Sequence, residues 1–259
     1  MHHSIKPKKS LGQHFLKDAN IVRKITAAIP AKGDEHVIEI GPGTGALTEY
    51  LLEAYKNLTA IEIDGRAVEV LNEKFPNLRL IQKDILKTDW DEVLGTETGV
   101  HVVGNLPYYI TSQILFNVMD QRKRFKSAIF MMQKEVAQRL IAEPHTKDYG
   151  ILSVQVQLMS TPEILFDVSR HSFYPPPNVE SSVVKLTFDR PGLQCSDKNL
   201  KTVVRTAFNQ RRKKLSNSLK PVFDVNLVEG FDFDKRAEAW IPQEYEKLTA
   251  HLEHLGIIH

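Results

Sequence analysis

From His36 to Ala142, short apolar runs rich in β-branched residues alternate with stretches of helical periodicity. Few folds accommodate that pattern. His36–Ile40, Leu58–Ile63, Leu78–Gln82, Val100–Val103 and Ala128–Met132 read as strands. Leu47–Ala54, Arg66–Lys74, Gln113–Met119 and Lys134–Ala142 read as the helices between them. Parallel strands need crossovers of about a dozen residues, and helices supply them. The rhythm therefore predicts an α/β fold: a doubly wound, Rossmann-like parallel sheet with helices on both faces.

The flanks extend this core. A helix is expected over Ala19–Ala28 with Asp18 as its cap, after a basic, flexible lead into Leu11–Leu16. Tyr149–Met159 reads as a helix, and Glu163–Val168 and Ser182–Phe188 as two late strands. Between those strands three prolines, Pro175–Pro177, stiffen a loop from Phe173 to Val179. Arg190-Pro191-Gly192 is the expected boundary between a domain over 1–190 and a small α-helical domain over 191–259. In the latter, helices are expected over Lys198–Phe208, Arg211–Leu219 and Asp234–Trp240, with a last one after Pro242.

A chain of 259 residues buries roughly 70–75% of its unfolded surface without staples. Its one cysteine, Cys195, rules out a disulfide framework and implies a reducing, cytoplasmic setting. Nothing around Cys195 activates it, so an inert structural thiol is expected. No apolar run approaches membrane-spanning length, and Met1–Ser4 lacks the apolar core of a leader peptide. The histidines show no ligand spacing, so no metal site is expected.

Chemistry concentrates at the strand ends. Gly41-Pro42-Gly43-Thr44-Gly45 follows the first strand, where glycines let backbone approach a ligand closely. A tight turn, or the phosphate loop of a nicotinamide enzyme, would look similar. Glu62 ends the second strand, where an acid can accept from both ribose hydroxyls. Asp84 follows the third strand, where a carboxylate can accept from an adenine amine. Each acid alone could be a helix cap; together with the glycine loop they describe an adenosine site.

The fourth strand delivers Asn105-Leu106-Pro107-Tyr108. A dehydrogenase has no need of this tetrad, whereas an enzyme that methylates an exocyclic amine has. The Asn105 side-chain oxygen and the Leu106 carbonyl can each accept one N–H of a planar amine, drawing its lone pair out of the ring. Pro107 stiffens the backbone and Tyr108 can stack on a base. A polar turn with a core tyrosine is the plain alternative.

These motifs resemble the small-subunit (16S) ribosomal RNA adenine N6,N6-dimethyltransferase family. Glu39–Gly45 and Asn105–Tyr108 carry the likeness, with Leu11–Leu16 (GQxFL), Phe173–Ser181 (FxPPPxVxS) and Phe208–Leu215 (FxQRRK). The resemblance covers essentially the whole chain. It implies a class I methyltransferase sheet, S-adenosyl-L-methionine as cofactor, and two adjacent adenines near the 3′ end of 16S rRNA in the small ribosomal subunit as substrate, each dimethylated, with a role in subunit biogenesis. It further implies cofactor contacts at His14, Leu16, Gly41, Glu62, Asp84 and Asn105, and catalytic roles for Asn105, Leu106, Tyr108 and Phe173, the last as a second aromatic facing the flipped base. His14 and Tyr109 stand where relatives often have Asn.

Net charge is +2, but Lys198–Lys220 holds eight Lys/Arg and no acid, and Lys6, Lys8, Lys9 and Arg122–Lys126 form smaller clusters. Arg211, Arg212, Lys213 and Lys214 are the expected RNA contacts, with Leu200, Val203, Val204 and Phe208 turned inward. A large-subunit or DNA adenine methyltransferase, and a catalytically idle RNA-binding assembly factor, are the competing readings. A monomer is expected.

Overall fold

The computed structural model describes residues 5–8 and 11–259. Met1–Ser4, Lys9 and Ser10 lie outside the described residues. In chain order the elements begin with β1 (Phe15–Leu16), α1 (Ala19–Ala28), β2 (His36–Ile40), α2 (Ala46–Ala54), β3 (Asn57–Glu62), α3 (Gly65–Lys74), β4 (Arg79–Gln82) and α4 (Trp90–Leu94). β5 (Val100–Asn105), α5 (Thr111–Asp120), β6 (Phe125–Gln133), α6 (Lys134–Leu140), α7 (Ile151–Met159), β7 (Thr161–Val168), β8 (Phe173–Tyr174) and β9 (Ser181–Thr187) follow. The chain ends with α8 (Asp197–Asn209), α9 (Leu215–Ser218) and α10 (Pro242–His254).

Two compact units result: the chain up to Ala137 with Glu163–Phe188, and Gln138–Pro162 with Asp189–His259. The sequence pattern predicts one cut near Arg190; the structure has the chain enter the second unit twice. Aromatic packing over long sequence separation is the reason. The Tyr149 ring stands edge-on to Phe208, its hydroxyl donates to the Trp240 carbonyl at 2.7 Å, and the Phe208 ring lies against Tyr245. α7 therefore packs with α8 and α10. Along α8, Leu200, Val203 and Val204 are fully buried, as its apolar spacing predicts, while Phe208, expected beside them, is half-buried and Ala207 takes the fourth fully buried place.

The first unit is built on a seven-stranded sheet of order β4-β3-β2-β5-β6-β9-β7. β4, β3, β2, β5 and β6 pair in parallel, but β9 joins β6 antiparallel, so the sheet is mixed rather than wholly parallel. β9 follows a loop, not a crossover helix, and arrives from the opposite direction. Val37, Ala60 and Val103 share a core with Val22 and Ile25 of α1 and Leu47 and Leu51 of α2. Their neighbours Ile38, Ile61 and Val102 point to the opposite face and are equally buried, so both faces are covered. Asp18 caps α1 by accepting from the Asn20 and Ile21 amides.

Candidate functional site

In the sheet order, the chain turns from β2 to β3 on one side and returns at β5 on the other. A crevice opens where strand order reverses, outside the carboxyl ends of the strands. β2 and β5 approach closely because Gly104 has no side chain: a Cβ there would lie 2.6 Å from the Ile40 carbonyl oxygen. Beyond them lies a cavity of about 280 Å³. His14, Leu16, Gly41, Glu62, Asp84, Asn105, Leu106 and Tyr108 all line it.

One side is built from β2, β3 and β4. Gly41 and Gly43 have φ of 69° and 58°, a region that favours glycine, and this turns their amides back onto β3. The Gly41 amide donates to the Ile61 carbonyl at 2.9 Å, and the Gly43 amide to Glu62 Oε2 at 3.0 Å. Glu62 Oε1 accepts from the amides of Ile63 and Asp64, both at 2.9 Å. Burial pushes the Glu62 carboxyl up, while these three N–H groups oppose the shift. Asp84 both caps and lines: Oδ1 accepts from the Leu86 amide at 2.9 Å, and no described residue donates to Oδ2. Glu39, also lining the cavity, is 2% exposed, and burial pushes its carboxyl up to about 8.

The other side is the tetrad. The apolar pattern ends the strand before Asn105; in the structure Asn105 is the last residue of β5, opposite Met131 of β6. Its NH2 group donates to the His14 carbonyl at 2.9 Å. A carbonyl can only accept, so this contact fixes which way the carboxamide faces and leaves its oxygen free of that bond. Leu106 is 1% exposed and anchored by its amide on the Met131 carbonyl at 3.0 Å, and no described group donates to its own carbonyl. The Pro107 carbonyl is taken by the Ile110 amide and the Thr111 hydroxyl. Tyr108 is half-buried, with its hydroxyl 2.6 Å from Ser181 Oγ.

The aromatic partner of Tyr108 is His14, its ring centroid 5.5 Å away and 24° from parallel. His14 Nδ1 lies 2.8 Å from the Pro175 carbonyl. That nitrogen is therefore the donor, and in a neutral ring Nε2 is an acceptor. Phe173, expected on the far side of the base, is instead 1% exposed and sits in the core cluster with Leu16. β1 and β8 pair antiparallel with Leu16 opposite Phe173 and Phe15 opposite Tyr174. Side chains alternate along a strand, so Leu16 and Phe173 share the core face while Tyr174 is 62% exposed. Ser181 and Gln13 are site residues that the sequence marks only as members of motifs, and Asp64 carries no sequence signal of its own.

In the second unit the predicted basic helix over Arg211–Leu219 shortens to α9, and Arg211–Lys214 form the turn before it. Arg211 is spent within the unit: Nε donates to Glu238 Oε2 at 2.8 Å, and its terminal nitrogens to the Lys147 and Thr146 carbonyls. Lys214 pairs with Asp234 at 2.9 Å. Arg212 and Lys213 are exposed. The helix expected over Asp234–Trp240 is a single tight turn, Ala237–Ala239. Burial, with the acids Glu253, Glu246 and Asp197 nearby, pushes the Cys195 thiol up to about 12, which disfavours its thiolate.

A glycine loop with left-handed φ, a strand-end acid able to accept hydroxyl donors and an acid with one free oxygen fit an adenosyl group, and beside them stand two further acceptors, the Asn105 side-chain oxygen and the Leu106 carbonyl. Fold and site together define a class I, S-adenosyl-L-methionine-dependent methyltransferase. The chain belongs to the ribosomal RNA adenine dimethylase family, whose sequence pattern matches residues 4–246. It is 46% identical over 250 residues to the ribosomal RNA small subunit methyltransferase A of Parabacteroides distasonis, covering 95% of this chain and 93% of that one. The protein of the same description from Flavobacterium johnsoniae is 43% identical over 257 residues, 98% of each chain. Among solved structures, a dimethyladenosine transferase from Plasmodium falciparum superposes with a TM-score of 0.79 at 29% identity, covering 94% of this chain and 98% of that one. The 23S rRNA methyltransferase ErmE gives 0.68 at 25%, covering 92% and 99%.

Proposed function

We propose that the chain dimethylates N6 of two adjacent adenines near the 3′ end of 16S rRNA, within the small ribosomal subunit, as a cytoplasmic monomer. The observation that carries the acceptor side of this reading is the Asn105–His14 hydrogen bond, which leaves the Asn105 oxygen to face an incoming amine. The small-subunit assignment draws on the naming of relatives at 41–46% identity, against 25% for the 23S enzyme.

Bound S-adenosyl-L-methionine supplies an electrophilic methyl group on a cationic sulfur. Gly41 and the Gly43 backbone would shape its seat, Glu62 would accept from the ribose hydroxyls and free Asp84 Oδ2 from the adenine amine; Leu16 and His14 would close the opposite wall. The acceptor adenine leaves its stack, at a cost of a few kcal/mol. In the first transfer the Asn105 oxygen and the Leu106 carbonyl each accept one N–H of its amine, pulling the nitrogen toward tetrahedral geometry and aiming its lone pair; in the second the monomethylated amine has one N–H left for one of these two acceptors. Tyr108 stacks on the base, its ring held by His14 and by Ser181. The attacking nitrogen sheds its proton after transfer, so no strong general base is needed, and the tetrad supplies none. Arg212 and Lys213 contact phosphates; Arg211 and Lys214 are engaged within the unit by Glu238 and Asp234.

Tritiated methyl transfer to undermethylated small subunits, to large subunits and to naked DNA separates the readings. We expect label in small subunits alone. Label confined to large subunits or DNA would overturn the substrate assignment, and tight subunit binding without label would make the protein an assembly factor.

A further inference from the structure

Gln13 stands in the N-terminal strap, Leu11–Leu16, which lines the cavity, and takes no direct part in methyl transfer. Its carboxamide is nonetheless held at both ends. The oxygen accepts from the Lys8 amide at 2.8 Å, and the NH2 group donates to Asp64 Oδ2 at 3.0 Å. A backbone amide only donates and an ionised carboxylate only accepts, so the orientation is unambiguous. Asp64 is 4% exposed and caps α3 through the Arg66 amide. Its hydrogen bonds with the Arg66 guanidinium hold its carboxyl down at about 2, and Lys8 approaches at 3.7 Å. Arg66 in turn donates to the Lys6 carbonyl.

Both ends of this clasp reach the site. The Asp64 amide donates to Glu62 Oε1, on the side that would hold the donor. The residue after Gln13 is His14, whose carbonyl receives the Asn105 NH2 group, on the acceptor side. A continuous path therefore runs from Glu62 through Asp64, Gln13 and the His14 backbone to Asn105. Were the strap to lift, the Asn105 carboxamide would lose the partner that tells its oxygen from its nitrogen. The wrong rotamer would offer donors to an amine that needs acceptors.

We infer that Gln13 and Asp64 are positioning residues for methyl transfer: their clasp holds the strap so that the His14 carbonyl fixes the Asn105 oxygen toward the acceptor amine. The inference rests on the methyl transfer proposed for this site. Its consequence is that grip on the acceptor amine depends on the same strap that would cover the donor.

The test exchanges the two partners. Gln13→Glu sets one carboxylate against another and opens the clasp. Asp64→Asn keeps the cap on α3, since Asn caps as well as Asp. In the double variant Q13E/D64N the clasp is rebuilt in reverse. The new amide at position 64 can donate to the new carboxylate at position 13, whose other oxygen still accepts from the Lys8 amide; the Arg66 guanidinium, which donates to Asp64 Oδ2 in the wild type, is left the position 13 carboxylate as its partner. Steady-state transfer to undermethylated small subunits is measured for the full chain. Gln13→Glu is expected to lower kcat about 10-fold, with a rise in KM for the donor and little change in KM for RNA, and the double variant to recover to within about threefold of wild type. A double variant no faster than Gln13→Glu, or a Gln13→Glu enzyme with wild-type kcat, overturns the inference. If Gln13→Glu does not fold, Gln13→Ala takes its place, and an unchanged kcat there overturns it equally. Wild-type protein that labels no small subunits refutes the underlying function instead, before any variant is compared.

Discussion

Gly104→Ala is a one-carbon change that tests how the sheet positions the chemistry. Gly104 pairs with Ile40 across β2 and β5, and each is the residue before a functional segment: Gly41 follows one and Asn105 the other. An added Cβ would stand 2.6 Å from the Ile40 carbonyl oxygen and 3.3 Å from Ile40 Cβ. To regain ordinary contact at 3.4 Å, the strands must separate by about 0.8 Å. Both obstacles belong to Ile40 at the centre of a sheet, so neither can swing aside. Replacing glycine stiffens the unfolded chain, which alone would stabilise by about 0.4–1 kcal/mol. Overpacking costs about 1–3 kcal/mol and wins. At about 2–4 °C per kcal/mol for chains of this size, the thermal midpoint should fall by a few to about 10 °C.

Activity should fall further than stability. The separation opens between the donor loop and the amine grip, and misplacement by about 1 Å can cost on the order of 100-fold. The assay pairs a thermal melt with single-turnover methyl transfer, at a temperature where the variant remains folded. Wild-type melting and wild-type turnover would refute the claim that strand contact at Gly104 sets the distance across the site.

Asn105→Ala should lower kcat about 10²- to 10³-fold, the usual cost of one transition-state hydrogen bond in a closed site. KM for the donor should rise only about 2- to 10-fold, the worth of one strap hydrogen bond, and unchanged turnover would dismiss the proposed grip. Glu39 has its usual value of 4.5 raised to about 8 by burial. Its contribution to stability is thus fully present below about 4.5 and lost as pH rises through 8. Glu39→Gln, whose amide oxygen can still accept from Thr48, should melt like wild type near pH 5 and above it beyond about pH 8; parallel melting curves across that range would count against a proton held at Glu39. Neutralising Arg212 and Lys213 to Gln should weaken RNA binding and flatten its salt slope by roughly 0.7–0.9 for each phosphate no longer neutralised. Arg211→Ala should act chiefly by lowering the thermal midpoint.

Much of this is legible in the sequence because its signals are local. α1 spans Ala19–Ala28 behind its Asp18 cap as expected, and β2 matches its apolar run residue for residue. The glycine loop, Glu62, Asp84 and Asn105 can be read because each follows a strand, and parallel strands bring their carboxyl ends to one edge. What escapes depends on partners far away in sequence. Phe173 reads as an exposed aromatic in a proline-rich loop until β1 pairs with β8, 157 to 159 residues distant, and the alternation turns it inward. Gln13 looks like a polar motif residue until Asp64, 51 residues on, receives its NH2 group.

Charge runs are the most misleading signal, and the reason is general. Counting Lys and Arg over 198–220 treats every cation as available, whereas folding first offers each one to the acids and carbonyls of its own unit. The acids that return after Asp224 are the partners: Asp234 meets Lys214 and Glu238 meets Arg211. The Arg122–Lys126 cluster is answered in the same way, with Arg124 on Asp91 and the Gly95 carbonyl and Lys126 on Glu35. An ion pair on a partly exposed surface contributes little to stability, but it still spends a cation that RNA would have to win back. The polyanion surface proposed for the second unit is therefore narrower than its composition implies. In the Arg211–Lys214 turn the proposed RNA contact comes down to the exposed Arg212 and Lys213, since Arg211 and Lys214 are engaged by Glu238 and Asp234.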